Sequence, residues 1–512
     1  MGARPSSFVQ DKPVASVASV RETREWSPQQ TDIFGWFEDT NTGTLVVRAR
    51  AGTGKTTTLL EGITRAPEQS ILLCAFNKRI AVTLNERLTN PQAEAKTLHS
   101  LGYQAIRQAW GQVAVAQGSA RGDWLTAQVC AKDTPVPIKR LVTQLHTKAR
   151  EMEPLQCSRE RLTTLAFEFD YVPDEGWRSY PVEYVVQLAQ AAMAQAAHET
   201  PDCAIGTIDF ADMIYLPLVH NLLTPTYDLV VVDEAQDLTL AQLTMAQRVC
   251  SGRLCLVGDD KQAIYGFRGA DAGSLDRLKR ELGASELPLT TTYRCAQSVV
   301  REAQRLVPDI LAHPSNPEGI VDTADYATLL SQVQPGDFVL SRINAPLVSL
   351  TLQLLKRGTR ATMLGRDIAA GILGVLKRLQ ATSLKDMLSK LEDWETKTST
   401  KLANYGQIAL VDRCHDQAAM LRSVAETSEN LTDMQARIDW LFSDDESADG
   451  TVGKVICSSV HKAKGQEADR VWMLSESFYR RGQNPEEDNL WYVATTRAKQ
   501  HLTRVTGVPM AR

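Results

Sequence analysis

A chain of 512 residues, 43% hydrophobic and 23% charged, has an ordinary globular composition and is long for one core, so two or more domains are expected. Its net charge of −5 does not advertise a nucleic-acid binder and does not exclude one, because acidic surface elsewhere can offset a local basic groove. Nine scattered cysteines without a C-x-x-C pair, no apolar run that would span a bilayer and no signal-peptide core predict a soluble intracellular chain with no membrane partner, cytoplasmic in a bacterium or virus and nuclear in a eukaryote.

Residues 1–22 are rich in Ser, Pro, Val and Ala without periodicity and read as a flexible leader. Ser27-Pro28 then starts a helix, on which Gln30 taken alone is an ordinary surface residue. The apolar run Leu45-Val46-Val47 leads into Ala49-Arg50-Ala51-Gly52-Thr53-Gly54-Lys55-Thr56, a phosphate-binding loop whose first glycine is replaced by Ala49. Its glycines permit the tight turn that aims successive N–H groups and the positive end of the next helix at a polyphosphate. In this pattern Lys55 reaches the β- and γ-phosphates and Thr56 binds Mg²⁺.

The run Ile71–Phe76 reads as a buried parallel strand ending in Phe76-Asn77-Lys78-Arg79, at the end where open α/β sheets bind ligands; a core phenylalanine with solvated charges is the plainer reading. His99 follows in Thr97-Leu98-His99-Ser100 and by itself is more often structural. From about 110 to 205 the chain turns helical and rich in Ala, Gln and charge, with no chemistry to name. Leu229–Val232 is another buried strand, and it runs into Asp233-Glu234-Ala235-Gln236-Asp237. An aspartate there suits Mg²⁺ and a neighbouring glutamate suits the attacking water. The strand Leu254–Val257 then leads to Gln262, placed to sense a γ-phosphate, and to the loop Tyr265-Gly266-Phe267-Arg268, whose rings a single strand's bases would stack on. A second α/β unit follows, interrupted by a helical, charged stretch between about 366 and 450.

Taken in order, AxAGTGKT, AFNK, TLHS, DFADMI, VVVDEAQDL, VGDDKQAIYGFRGAD, TTYRC, SVHKAKGQE and YVATTRAK resemble the motif series of the UvrD/Rep/PcrA family of superfamily 1 DNA helicases, from about residue 25 to the C-terminus. The resemblance implies an α/β fold of two RecA-like parallel-sheet P-loop domains, each interrupted by a helical insertion. The first would take residues 23–109 and 206–285, with 110–205 inserted; the second would take 286–365 and 451–512, with 366–450 inserted. ATP and Mg²⁺ would lie between them and single-stranded DNA across both.

By position, Gln30 would read adenine, Tyr293 would stack on it and Glu467 would approach the ribose. Ala51, Gly52, Thr53, Gly54, Lys55, Thr56 and Thr57 would hold the phosphates, and Thr56 with Asp233 the metal. Glu234 would be the base, Gln262 the coupling residue, and Arg294 and Arg497 the arginine fingers. Phe76, Asn77, His99, Tyr265, Phe267, Arg268, His461 and Lys462 would line the DNA track.

Phe267 stands where relatives often carry Trp, Thr292 where Asn is usual, and the second insertion is short. The last departure places the chain among the compact members, near the helicase part of F-box DNA helicases. The implied activity is ATP-dependent translocation on single-stranded DNA and unwinding, 3′ to 5′, in repair, recombination or replication. Single strands, junctions, and a protein loader or recombinase would be the partners. The alternatives are a motor that strips proteins from single strands without unwinding, and a non-motor ATP-switched nucleic-acid-binding subunit.

Overall fold

Strand segments as uniformly apolar as Ile71–Cys74 and the last four residues of Tyr227–Val232 belong to sheets covered on both faces, and the computed structural model places them so. It describes residues 25–41, 43–155, 157–169, 171–173, 177, 179–198, 207–264, 274–404, 408–442, 453–478 and 485–509. The leader and the loop residues Tyr265, Phe267 and Arg268 lie outside the described residues.

The first sheet comprises β1 (Leu45–Ala49), β2 (Ile71–Cys74), β3 (Ala93–Lys96), β4 (Tyr227–Val232), β5 (Cys250–Gly258) and β6 (Ser285–Leu289), ordered β3-β2-β4-β5-β1-β6 with every neighbour parallel. Alternation along the strands sends Val46, Leu72, Val230 and Leu256 to one core and Val47, Leu73, Val231 and Val257 to the other.

The second sheet comprises β7 (Ile320–Asp325), β8 (Phe338–Ser341), β9 (Ala361–Met363), β10 (Val455–Ser459), β11 (Ala468–Leu474) and β12 (Ala498–Thr506), ordered β7-β12-β11-β8-β10-β9, again all parallel. Val339, Cys457 and Trp472 face one core, Phe338, Ile456 and Val471 the other. Two six-stranded parallel sheets in one chain are the expected fold class.

The helices inserted in the two halves are held differently. Those at Ala120–Val129, Val136–Met152, Arg159–Glu168 and Val182–His198 share their own core of Leu125, Leu145, Leu165 and Val186. They are tied to the first half by apolar packing, since Ile106, Met213 and Leu216 of that half share this core, and by charge. The fully buried Arg150 donates to both Asp209 oxygens at 3.0 and 2.8 Å and to Asp212, while Arg121 donates to Asp212 at 2.9 Å. The acids of the DFADMI stretch are therefore anchors, a role the sequence did not signal. Close by, the helices Leu98–Trp110 and Asp212–Val219 cross tightly enough that a Cβ at Gly102 would overlap the Met213 carbonyl oxygen. In the second half, the helices Arg366–Leu379, Leu384–Asn404, Ile408–Ala425 and Leu431–Leu441 contribute Ile372, Leu391, Leu421 and Ile438 to the core that the sheet itself uses. Among the described residues no helix is long and apolar enough to cross a membrane.

Candidate active site

The chemistry-bearing residues gather where the carboxyl ends of β1, β4 and β5 meet segments of the second half. After β1 the chain turns through Gly52 and Gly54, both left-handed at φ 72° and 79°, and enters the helix Lys55–Arg65. No side chain caps that helix, so its first amides remain donors for an anion. Thr53 is buried with its hydroxyl on the Arg50 carbonyl, 2.9 Å.

Lys55 Nζ lies 3.0 and 3.2 Å from the two Glu234 oxygens, and Thr56 donates to Asp233 Oδ2 at 3.0 Å. Glu234 sits in left-handed backbone, φ 52° and ψ 42°, rare for a residue with a side chain and the kind of strain that active sites retain. Gln236 Nε2, 2.6 Å from Glu234 Oε2, holds the carboxylate in place. Burial opposes its ionisation, but Lys55 and Lys464 outweigh burial and hold Glu234 below the ordinary carboxylate range. Asp233 is driven the other way, by burial and then by the Glu234 charge. A buried carboxylate held above its usual value beside a hydroxyl is an oxygen pair short of positive charge, and it fits a hard divalent cation such as Mg²⁺.

Gln262 is buried, its amide donating to Asp259 Oδ2 at 2.7 Å. Gln30 is buried as well: it completes the capping box of the helix Pro28–Glu38, accepting from Ser27 N–H at 3.0 Å and donating to Thr58 at 2.9 Å. That position beside Gly54 puts it at the cleft, not on open surface.

Across the cleft, Tyr293 N–H donates to the Gly52 carbonyl at 2.9 Å, and its half-exposed ring lies 4.8 Å from that of His313. A Cβ at Gly52 would fall 2.5 Å from both Arg294 Cβ and Thr292 Oγ1, so the Thr292 hydroxyl occupies the close approach between the halves. Arg294 pairs with Glu467, which also meets Lys499 at 3.0 Å. Arg497 is fully buried on the carbonyls of Val493 and Gln466, and burial, then the Arg294 charge, lowers it to about 10.

Sequence reasoning passed over several members of this site. Lys464 crosses the cleft, its ammonium on Asp237 at 2.8 and 2.7 Å and on the Gln262 carbonyl at 2.7 Å. Tyr492 OH accepts from Ala51 N–H at 3.0 Å and donates to Asp259 at 3.3 Å. Arg50 is buried among Asp259, Asp260 and Asp309. The signal available was adjacency, since each of these lies within or beside a quoted motif.

On the outer surface of the first half, Phe76 is half exposed and Asn77 caps the helix Lys78–Arg87 through Ile80 N–H, 2.9 Å. His99, with its basicity lowered by burial, has its ring 6.1 Å from that of Phe210, which is 62% exposed. The chain thus presents an exposed apolar ring between the buried Asp209 and Asp212, a feature not singled out from the sequence. His461 and Lys462 lie on the short helix Val460–Ala463 that follows β10.

The UvrD/REP helicase N-terminal domain model matches residues 37–283, and the UvrD-like helicase C-terminal domain model matches 370–506. F-box DNA helicase protein 1 of Schizosaccharomyces pombe is 26% identical over 516 residues, covering 90% of this chain and 55% of that protein. DNA helicase II of Escherichia coli is 24% identical over 289 residues, 51% of this chain and 38% of that protein. The ATP-dependent DNA helicase PcrA of Staphylococcus aureus is 24% identical over 290 residues, 52% and 38%. The chain thus spans about half the length, or less, of the curated relatives it matches.

Proposed function

This chain belongs to the UvrD/Rep helicase family, and from that premise we propose that it is an ATP-driven motor that moves 3′ to 5′ on single-stranded DNA and opens duplex, in repair, recombination or replication. One observation carries the reading. Lys55, Thr56, Asp233 and Glu234 converge at the end of the first sheet, and Arg294, Arg497 and Lys464 face them from the second.

In this reading the γ-phosphate draws Lys55 away from Glu234, and the released carboxylate, kept ionised by its surroundings, orients and deprotonates the attacking water. Thr56 and Asp233 hold Mg²⁺, which when bound neutralises phosphate charge. Arg294 and Arg497 stabilise the charge that develops on the transferred group, so hydrolysis proceeds only while the halves are together. Gln30 and Tyr293 border the base, Glu467 the ribose, and Gln262 reports the γ-phosphate to the loop beyond it. Phe76, Asn77, His99, Phe210, His461 and Lys462 form the strand's path, with Tyr265, Phe267 and Arg268 completing it. A protein loader or a recombinase on the strand are the proposed further partners.

A second reading, displacement of bound proteins without autonomous unwinding, is favoured by the second insertion, whose helices are bound into the sheet's own core. Steady-state ATP hydrolysis with and without single-stranded DNA, beside strand separation from 3′- and 5′-tailed duplexes, tests both. Strong stimulation with separation from the 3′ tail supports the first reading, and stimulation without separation the second. Absence of stimulation would end both. Lys55→Ala and Glu234→Gln are expected to abolish turnover while strand binding persists.

A further inference from the structure

Arg50 occupies a variable place in the phosphate loop, yet only 4% of it is exposed and every arm of its guanidinium is engaged. Nη1 donates to Asp259 Oδ1 at 3.0 Å and to Asp260 Oδ1 at 2.7 Å, both at the end of β5. Nε and Nη2 grip Asp309 as a fork, at 3.0 and 2.8 Å. Asp309 belongs to the second half: its neighbours Val307 and Ile310 are buried in that sheet's core.

The Asp259 carboxylate is a junction. One oxygen takes Arg50 and the Lys261 N–H (3.1 Å), and the other takes the Gln262 amide (2.7 Å) and the Tyr492 hydroxyl (3.3 Å). Asp260 is shared as well, with Arg48 at 3.1 Å and Lys261 at 3.4 Å. Arg50 and Gln262 are therefore held by one carboxylate, while Arg50 is simultaneously held by the opposite half.

We propose that Arg50 is a positioning residue whose fork with Asp309 makes the placement of Gln262 depend on closure of the two halves. When they part, Asp309 leaves with the second half, Arg50 relaxes onto Asp259 and Asp260, and Gln262 loses its fixed geometry. The inference rests on the reading of Gln262 as the residue that meets the γ-phosphate.

Asp309 is the residue to change, because its side chain is 49% exposed whereas loss of Arg50 would leave Asp259 and Asp260 facing each other in the interior. Asp309→Ala should lower the DNA-stimulated kcat for ATP about tenfold and leave KM for ATP within about twofold, with kcat referred to the nucleotide-binding sites counted in each sample, since an inactive fraction would lower an uncorrected rate in the same way. Asp309→Glu, which retains the carboxylate, should recover most of the rate, and both variants should melt where the wild type does. A kcat for Asp309→Ala equal to that of an active wild type overturns the proposal and leaves the proposed motor standing. A wild type that hydrolyses no ATP sinks the functional reading instead, and amide exchange then decides the inference. A non-hydrolysable ATP analogue should slow exchange over residues 255–264 in the wild type and not in Asp309→Ala. Equal protection in the two proteins, or none in either, overturns it.

Discussion

The two halves of the molecule are built alike and charged in opposite ways at the cleft. Each is a six-stranded parallel sheet covered on both faces. The first brings four carboxylates around Lys55, with Asp259 fully buried and Asp233, Glu234 and Asp237 partly buried at the cleft. The second brings Arg294, Arg497, Lys464 and Lys499, with Glu467 between them. The strain differs as well: Glu234 is held in an unfavourable backbone conformation, whereas Arg497 rests on the carbonyls of its own half. Neither side is a complete catalyst. In the proposed reading the first half supplies the base, the metal-binding pair and Lys55, and the second supplies the arginines that complete the charge around the transferring phosphoryl group.

The sharpest way to break this division is to remove a cation from the side that has no base. Arg294→Ala is expected to lower single-turnover hydrolysis by about 10³-fold or more, as for other arginines aimed at a transferring phosphate. A loss below about tenfold would make the second half a scaffold rather than a participant. Glu234→Gln tests the opposite side, with an expected loss of about 10²- to 10⁴-fold in kcat and nucleotide binding retained. Wild-type turnover in that variant would move the base elsewhere.

The contact that spans the halves can be read through pH. Burial, against the pull of Lys464, lifts Asp237 to about 6. Its folded value lies above the unfolded value of about 4, so the stability it contributes is complete below about pH 4 and is lost as the pH rises through about 6. Across that window the wild type should lose up to about 3 kcal/mol more unfolding free energy than Asp237→Asn, measured by denaturant titration at each pH. Parallel profiles for the two proteins would show that the Asp237 carboxyl is not raised. The smallest effect is a wedge: Gly52→Ala puts a side chain on left-handed backbone and against Arg294 and Thr292, with an expected penalty of about 1–2 kcal/mol in stability. An unchanged melting temperature would mean that the halves do not meet at that point.

What could be read from the chain alone divides along the same physical line. Lys55, Thr56, Asp233 and Glu234 were legible because a tight turn, a buried strand and the acids at its end are local patterns. The two parallel sheets were legible because doubly covered strands are continuously apolar. Arg50 and Lys464 were not, since their partners lie 259 and 227 residues away and charge in a loop looks the same whether it faces inward or outward. Gln30 and Asn77 show a related limit: a side chain singled out for ligand or DNA also caps a helix. Phe210 was hidden inside an apolar stretch whose other members are buried.

The charge knot that ties the first insertion to its sheet determines how this protein can be trimmed. Arg121 and Arg150 come from inside the inserted helices and Asp209 and Asp212 from the segment after them. Excising the insertion alone would remove both arginine partners and uncover Ile106, Met213 and Leu216, which share the insertion's core, so the truncated chain would lose stability for reasons unrelated to its catalytic machinery. A minimal version therefore has to make the uncovered apolar positions polar in the same step as the cut. Any chimera that borrows the insertion from a relative must likewise take the arginines and the aspartates from the same parent.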